Sequence, residues 1–535
     1  MLPDERRRRL GRTRRNLALP PERSGLTCEA GGKALRPIEL LLLFLDLLMF
    51  TILAIPGLRA VHGAGYLAPI TVLVAAIQVL IEGPRWQMDP AYVLAGLFCL
   101  VWWLQNHLPT GGVIGQLIAN RFVTGLLIGL GVIGLVAAIG LPMALPVFHF
   151  PRPSGPYQIG TVTYDWVDTG RHELFSTDPS SRRELMVQIW YPAEENSSTV
   201  HAPYMPDAGQ LSPDLARVLH LPASTFGYWK YVTTNAAPSV PVATDQASYP
   251  VLVYLSGMNG FRQSSTFQVQ ELVSHGYIVA AVDQPYAAAG VVFADGHQID
   301  GWTRDQMQPL INQSLTAAEP APIVNSQPLP DGIIPYFARD VSFTFDQLAA
   351  LNRADPQGIL TGRLDLQHLG IFGISLGAMV AGEAAHLDPR IKASLMMDAA
   401  MPADVVQAGL RQPSMWITRD AGSMRLERER SGGWSETDIA ETLTSMRAVF
   451  GGKTVPGTGY YVQIPGMFHI NFTDAPYWSP LFPRLGLTGP IDAQRGFDIV
   501  NAYSVAFFDQ HLKGRPTALL DKPPEHYPEV IFERH

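Results

Sequence analysis

The sequence predicts an α/β fold, a mostly parallel sheet flanked by helices, preceded by an N-terminal bundle of about four transmembrane helices. Three observations carry this reading. Short apolar runs recur after residue 180 and alternate with helical patterns. The run Gly373-Ile374-Ser375-Leu376-Gly377 falls between an apolar run and a helix-like stretch. The longest apolar segments lie before residue 150.

The apolar runs lie at 185–191 (LMVQIWY), 250–255 (PVLVYL), 277–283 (YIVAAVD), 368–372, 391–397 (IKASLMM), 413–418 (PSMWIT) and 459–464 (GYYVQI). Helical patterns at 264–275, 339–353 and 435–450 separate several of them, and Ser435 with Asp438 three residues on reads as a helix start. Strands that alternate with helices bury both faces of a parallel sheet. Within that ladder the segment at 373–377 has the strand-turn-helix setting of a nucleophile elbow, in which flanking glycines permit a strained reversal that leaves the serine hydroxyl exposed. The layout is that of an α/β hydrolase, with the elbow after the fifth strand if the 185 and 250 runs are its second and third.

A serine hydroxyl is a weak nucleophile until a base takes its proton, so Ser375 requires a histidine, an acid and an oxyanion hole. In such sheets reactive groups gather at the carboxyl ends of strands. Two acids meet that condition: Asp398 after the 391–397 run, and Asp420 after the 413–418 run, the more usual acid position for this fold. His469, just past the 459–464 run, is the best-placed histidine, and the order Ser, Asp, His suits the fold. His275, His297, His368, His386 and His511 fall in helices, before strands or in insertions. Oxyanion donors are expected from the backbone N–H of Leu376 and, in the loop 256–260 (SGMNG), from that of Met258. No H-E-x-x-H motif or close Cys/His cluster is present, so the chemistry is expected to need neither metal nor cofactor.

Three blocks make the chain resemble the plasma-type platelet-activating-factor acetylhydrolases, the lipoprotein-associated phospholipases, and their bacterial relatives. They are 255–283 (LSGMNGFRQSSTFQVQELVSHGYIVAAVD), 369–402 (LGIFGISLGAMVAGEAAHLDPRIKASLMMDAAMP) and 466–474 (GMFHINFTD), with 183–192 (RELMVQIWYP) matching an early strand. By position the resemblance implies Ser375 as nucleophile, Asp398 as acid and His469 as base, with Met258 and Leu376 lending oxyanion amides. It therefore favours Asp398, 23 residues past the serine, over Asp420. Ile374 and Leu376 depart from the histidine and aromatic residue more usual in that elbow. The implied reaction is acyl transfer through an acyl-enzyme that water then hydrolyses.

Before residue 150 the chain is of another kind. Expected spans are 38–58, interrupted only by Glu39 and Asp46, then 67–81, 91–105 and the uncharged 122–145. Tyr66, Trp86, Trp102 and Trp103 are placed as interface aromatics. Asp46 is expected to face protein or water rather than lipid, and Gly125 and Gly129 to pack closely against a neighbouring helix. Residues 1–36 carry ten Arg or Lys against four acids. Beside a span, such a basic tail reads as a topology signal or an anionic-lipid contact rather than a nucleic-acid site. The positive-inside rule then puts the tail, and after an even number of spans the enzyme, in the cytoplasm.

The expected division is tail 1–36, transmembrane region 37–150, a Pro/Gly-rich linker 151–156 and a catalytic domain 157–535 with insertions at 194–247, 284–335 and 421–456. The two cysteines, Cys28 and Cys99, imply no disulfide framework. The expected function is a membrane-embedded serine esterase that removes short or oxidised acyl groups from phospholipid-like esters. Alternatives are an esterase of polyester, lactone or other small esters, and a membrane protein whose hydrolase-like domain only binds ligand.

Overall fold

The computed structural model describes residues 35–59, 63–107, 121–195, 198–452, 454–522 and 525–535. The basic stretch up to residue 34, with Cys28, lies outside the described residues. From residue 33 onward the chain forms one compact unit.

Ten strands build the central sheet: β1 Gln158–His172, β2 Arg182–Ala193, β3 Ala236–Pro238, β4 Tyr249–Leu255, β5 Ile278–Asp283, β6 Leu364–Ile374, β7 Ile391–Met397, β8 Ser414–Thr418, β9 Gly459–Gln463 and β10 Ile531–Arg534. Their spatial order is β10-β9-β8-β7-β6-β4-β5-β2-β1-β3. Strands β4 to β9 run parallel; β2 is antiparallel to β5 and β1, and β10 closes the other edge antiparallel to β9. Every apolar run read from the sequence is a strand. Leaving aside the three-residue β3, the elbow follows the fifth strand. The sequence reading lacked β1, β3 and β10.

Both sheet faces are covered. Along β4, Val251, Val253 and Leu255 enter one apolar cluster while Leu252 and Tyr254 enter another on the opposite face. This is the period-two alternation of a strand buried on both sides. Helix Ile334–Arg353 packs with the first cluster and Ala493–Leu512 with the second. The helix expected at 435–450 is Glu436–Gly452, and its start is a reciprocal cap in which Ser435 Oγ accepts from the Asp438 N–H (3.1 Å) and the Asp438 carboxylate accepts from the Ser435 N–H (2.9 Å). The 151–156 segment does not hang free: Ser154 donates from its backbone to Glu271 at 3.0 Å, and Asn235 donates to the Pro151 carbonyl at 2.9 Å.

Ahead of the sheet stand four apolar helices, Pro37–Ala54, Leu67–Ile81, Asp89–His107 and Arg121–Ala144. Among the described residues three helical stretches, Pro37–Ala54, Trp86–Leu104 and Phe122–Ala144, are long and apolar enough to cross a membrane. Leu67–Ile81 has 15 residues, about 22 Å of helix against a hydrocarbon core of ~30 Å. The first helix stops at Ala54 rather than reaching 58, where Pro56 denies the ladder a donor. Asp46 is buried within the bundle. The small-residue contacts fall one turn from where the sequence reading put them. A Cβ on Gly125 or Gly129 would meet nothing within 4 Å, whereas one on Gly131 would strike the Phe50 ring and one on Gly134 would lie 3.0 Å from Leu94.

One end of this bundle abuts the sheet domain. Arg85 makes a paired contact with Glu39 (2.7 and 2.8 Å) and donates to the Leu145 carbonyl (2.9 Å). Arg36 pairs with Glu39 at 2.7 Å and lies over the Tyr231 ring. Trp86 Nε1 donates to the Thr225 carbonyl (3.2 Å), and Ser479 Oγ donates to the Ala144 carbonyl (2.6 Å).

Candidate active site

Ser375 sits between β6 and helix Leu376–Leu387 with φ 56° and ψ −124°, a strained conformation for a residue with a Cβ. Its N–H donates to the Met397 carbonyl at 3.0 Å, which ties the turn to the end of β7. The reversal demands small neighbours. A Cβ on Gly377 would collide with the Leu255 and Ser256 carbonyls, and one on Gly257 would come within 3.1 Å of the serine Cβ. The loop after β4 and the elbow therefore touch backbone to backbone, which brings the Met258 amide toward the serine. Among the described residues the backbone N–H groups of Met258 and Leu376 have no hydrogen-bond partner.

Asp398 follows β7, is completely buried, and also has a positive φ of 50°. Its Oδ2 lies 2.6 Å from His469 Nδ1, so the imidazole turns its other nitrogen away from the acid. That leaves Nε2 as the proton acceptor of the ring. Asp398 also accepts from Thr418 Oγ1 at 2.7 Å and from Arg419 Nε at 2.8 Å. Burial pushes the Asp398 carboxyl upward, but the Arg419 charge and the hydrogen bonds from His469 and Thr418 prevail and hold it well below the usual carboxylate range.

Asp420, the alternative acid, is placed elsewhere. It caps helix Ala421–Ser431, accepting from the N–H groups of Gly422 (3.0 Å) and Ser423 (3.3 Å). Its carboxylate is used up on orphan helix amides. Four of the other histidines are engaged locally: His275 with the Glu271 carbonyl, His297 with Asp295, His368 with Asp365 and His511 with Tyr460.

A second layer that the sequence reading missed surrounds the histidine. Arg419, fully buried, bridges Asp398 and Glu427. Glu427 also accepts the His469 backbone N–H at 3.1 Å. The Trp434 ring lies 4.4 Å from the Arg419 guanidinium carbon and 5.3 Å, edge-on, from the imidazole. Asp474 caps helix Thr266–Ser274 across the fold, accepting from the N–H groups of Thr266 (2.8 Å) and Phe267 (2.9 Å). This links the His469 loop to the chain that leaves the 256–260 loop. The available signal was positional: Arg419 occupies the same strand end that drew attention to Asp420.

Ser375, His469 and Met258 line one cavity of about 330 Å³, whose far wall is apolar: Leu215, Phe226, Trp229, Phe261, Trp478 and Phe482. Most of this wall comes from the 194–247 insertion and the segment after His469. A hydroxyl on a strained turn, an imidazole held by a buried carboxylate, unpaired amides and an apolar chamber together suit acyl transfer.

Comparison with known proteins agrees. Residues 144–304 match the family described as platelet-activating factor acetylhydrolase, isoform II. The platelet-activating factor acetylhydrolase of Canis lupus familiaris is 20% identical over 382 residues, covering 68% of this chain and 77% of the relative. That of Gallus gallus is 22% identical over 384 residues, covering 68% and 84%. Among solved structures, a ferulic acid esterase from Streptomyces cinnamoneus superposes with a TM-score of 0.53 at 27% identity, covering 72% of this chain and 99% of the esterase. Elbow, sheet order, cavity and relatives converge: the chain is a carboxylic ester hydrolase of the α/β-hydrolase fold, similar over two thirds of its length to platelet-activating factor acetylhydrolases.

Proposed function

We propose that Ser375 is the nucleophile, His469 the general base and Asp398 the acid that orients it, with the Met258 and Leu376 amides as the oxyanion hole. The observation that carries this is the 2.6 Å contact of His469 Nδ1 with the buried Asp398, across one cavity from a serine on a strained elbow. His469 takes the Ser375 proton as the oxygen attacks an ester carbonyl, and the negative oxygen that forms is held by the two amides. The imidazolium then protonates the departing alcohol. Water, deprotonated by the same histidine, attacks the acyl-enzyme and releases the carboxylic acid and Ser375.

The substrate is a phospholipid-like ester from which a short or oxidised acyl group is removed. An apolar chamber of about 330 Å³ suits a short acyl chain beside a larger alcohol that remains outside. The apolar helices before residue 150 form a membrane-embedded bundle. In support, their buried side chains include Glu39, Asp46, Thr71 and Gln78 while Leu40, Phe44, Leu73 and Leu130 face outward, the reverse of a water-soluble helix. Arg36, just before the first helix, and Ala144, at the end of the last, both lie against the sheet domain, which supports an even number of crossings. With the basic stretch before Arg36 in the cytoplasm, the enzyme lies there too.

The test is hydrolysis of an acetyl-phospholipid and of p-nitrophenyl acetate by the full chain in detergent, beside Ser375→Ala. Release of acetate from both by the wild type, lost in the variant, is expected. Cleavage of the aryl ester alone would leave the esterase and remove the phospholipid; cleavage of neither by folded protein would favour a ligand-binding domain.

A further inference from the structure

The wall of the catalytic cavity is also the surface on which the apolar helices end. Trp86 donates to the Thr225 carbonyl, and the next residue, Phe226, lines the cavity. A Cβ on Gly83 would lie 2.6 Å from the Tyr231 hydroxyl, two residues past the cavity-lining Trp229. Ser479 donates to the Ala144 carbonyl and is followed by Phe482 and Leu487, both cavity residues. Val147, Phe148 and Phe150, which leave the last helix, belong to one buried aromatic cluster with Phe226, Trp229, Phe261 and Trp478.

Around this wall a rim of large apolar side chains faces outward: Leu219, Leu221, Leu481, Leu485 and Leu487, with Leu485 61% exposed. Water gives such a rim no stabilising partner. The outward apolar surface of the helices continues up to the same level. Leu80, 83% exposed, and Ile81 stand just before Gly83, and Met143 just before Ala144. Leu219 and Leu487 line the cavity itself, and the segments that carry the other rim leucines are those that hold Thr225 and Ser479 against the ends of the helices.

Resting on the esterase reading above, we infer that the cavity mouth is a port to the bilayer in which the chain's own helices sit. The occupant is the acyl chain of an ester lodged in that bilayer, which passes between the leucines of the 219–221 and 481–487 segments to reach Ser375. The leucines dip into the boundary between headgroups and acyl chains and lower the cost of lifting the chain out of lipid. The helices thereby fix both the height of the mouth and the membrane from which substrate is drawn. An apolar rim also disfavours entry of charged, fully water-soluble esters.

The test reconstitutes the full chain into dioleoylphosphatidylcholine vesicles. A phosphatidylcholine with a long first chain and a short, labelled second chain is placed either in the same vesicles or in separate protein-free ones, and p-nitrophenyl acetate serves as the soluble ester. Hydrolysis in the shared bilayer is expected to exceed hydrolysis across vesicles by at least about tenfold. The double variant Leu221→Asp/Leu485→Asp is expected to lower the ratio of shared-bilayer to soluble-ester activity by at least about tenfold, because two exposed leucines that dip into lipid are replaced by charges. Equal rates in the two vesicle arrangements, or an unchanged ratio in the variant, would overturn the port. Cleavage of the soluble ester alone also removes it, and cleavage of neither by the wild type fails the esterase reading and takes the port with it.

Discussion

The sheet domain and the helical bundle solve opposite solvation problems with the same side chains. In the sheet domain large apolar and aromatic groups such as Trp190, Trp229 and Trp416 are buried, and the buried arginines are paired, as Arg183 is with Asp340 at 2.7 Å. In the bundle, leucines and phenylalanines cover the outside while Glu39 and Arg85 are shut inside. The same burial rule therefore cannot describe both regions. On the proposed reading, what each surface faces decides it, water for one and hydrocarbon for the other.

The sharpest break of this comparison is chemical and confined to the sheet domain. Ser375→Ala is expected to cut turnover by about 10⁵–10⁶ while leaving the melting temperature in detergent unaltered. Asp398→Asn should lower kcat by about 10⁴, because the imidazole loses the anion that fixes its tautomer. Asp420→Asn, at a helix cap, should change stability by no more than about 1 kcal/mol and leave kcat near the wild-type value. Steady-state kinetics with thermal melting separates the two aspartates, and the reverse pattern would exchange their roles.

Stability probes the two regions next. Glu39→Gln leaves Arg85 as a buried charge without its paired carboxylate, and a loss of about 3–5 kcal/mol is expected in detergent unfolding. Leu130 on the last helix and Val200 in the sheet domain are 55% and 62% exposed. Leu130→Asp should impair membrane insertion at a cost of about 2.5–3.5 kcal/mol, whereas Val200→Asp should fall within about 0.5 kcal/mol of wild type. Equal effects would show that the helices do not face lipid.

The smallest effect concerns Glu383, buried behind the elbow on helix Leu376–Leu387. Burial and the neighbouring Asp404 carboxylate push its carboxyl up to about 9. A carboxyl raised in the folded state keeps its proton there while the unfolded chain has lost it. Stability from this group is therefore full below about pH 4.3, the unfolded value, and declines as pH rises toward 9. Glu383→Gln should raise the melting temperature at pH 8 by a few degrees more than at pH 5, read by a melting series across pH.

How much was legible follows from what each signal depends on. Strands β4 to β9 are buried on both faces, so they read as continuous apolar runs, and the elbow, Asp398 and His469 follow from strand ends. Strand β1 escaped because it is partly exposed, at Thr163, Val167, Thr169 and Gly170, which breaks the apolar run, and β10 because four residues carry no period. Choosing Asp398 over Asp420 from residues alone was not possible, since both follow strands; only the fold shows one carboxylate meeting His469 and the other spent on helix amides. Arg419, Glu427 and Trp434 surround the histidine through contacts between distant segments, which no local pattern records. The positions of the bundle's helices were legible from hydropathy, but their contacts were not. Gly131 and Gly134 meet neighbours and Gly125 does not, because rotation about the helix axis is set by packing.

The most direct test of the account is covalent labelling of the full chain in detergent with a fluorophosphonate, followed by peptide mapping. One phosphonate per chain on Ser375, with labelling greatly slowed in His469→Ala, is the predicted result. Labelling at another serine, or labelling of Ser375 that ignores the histidine, would contradict it.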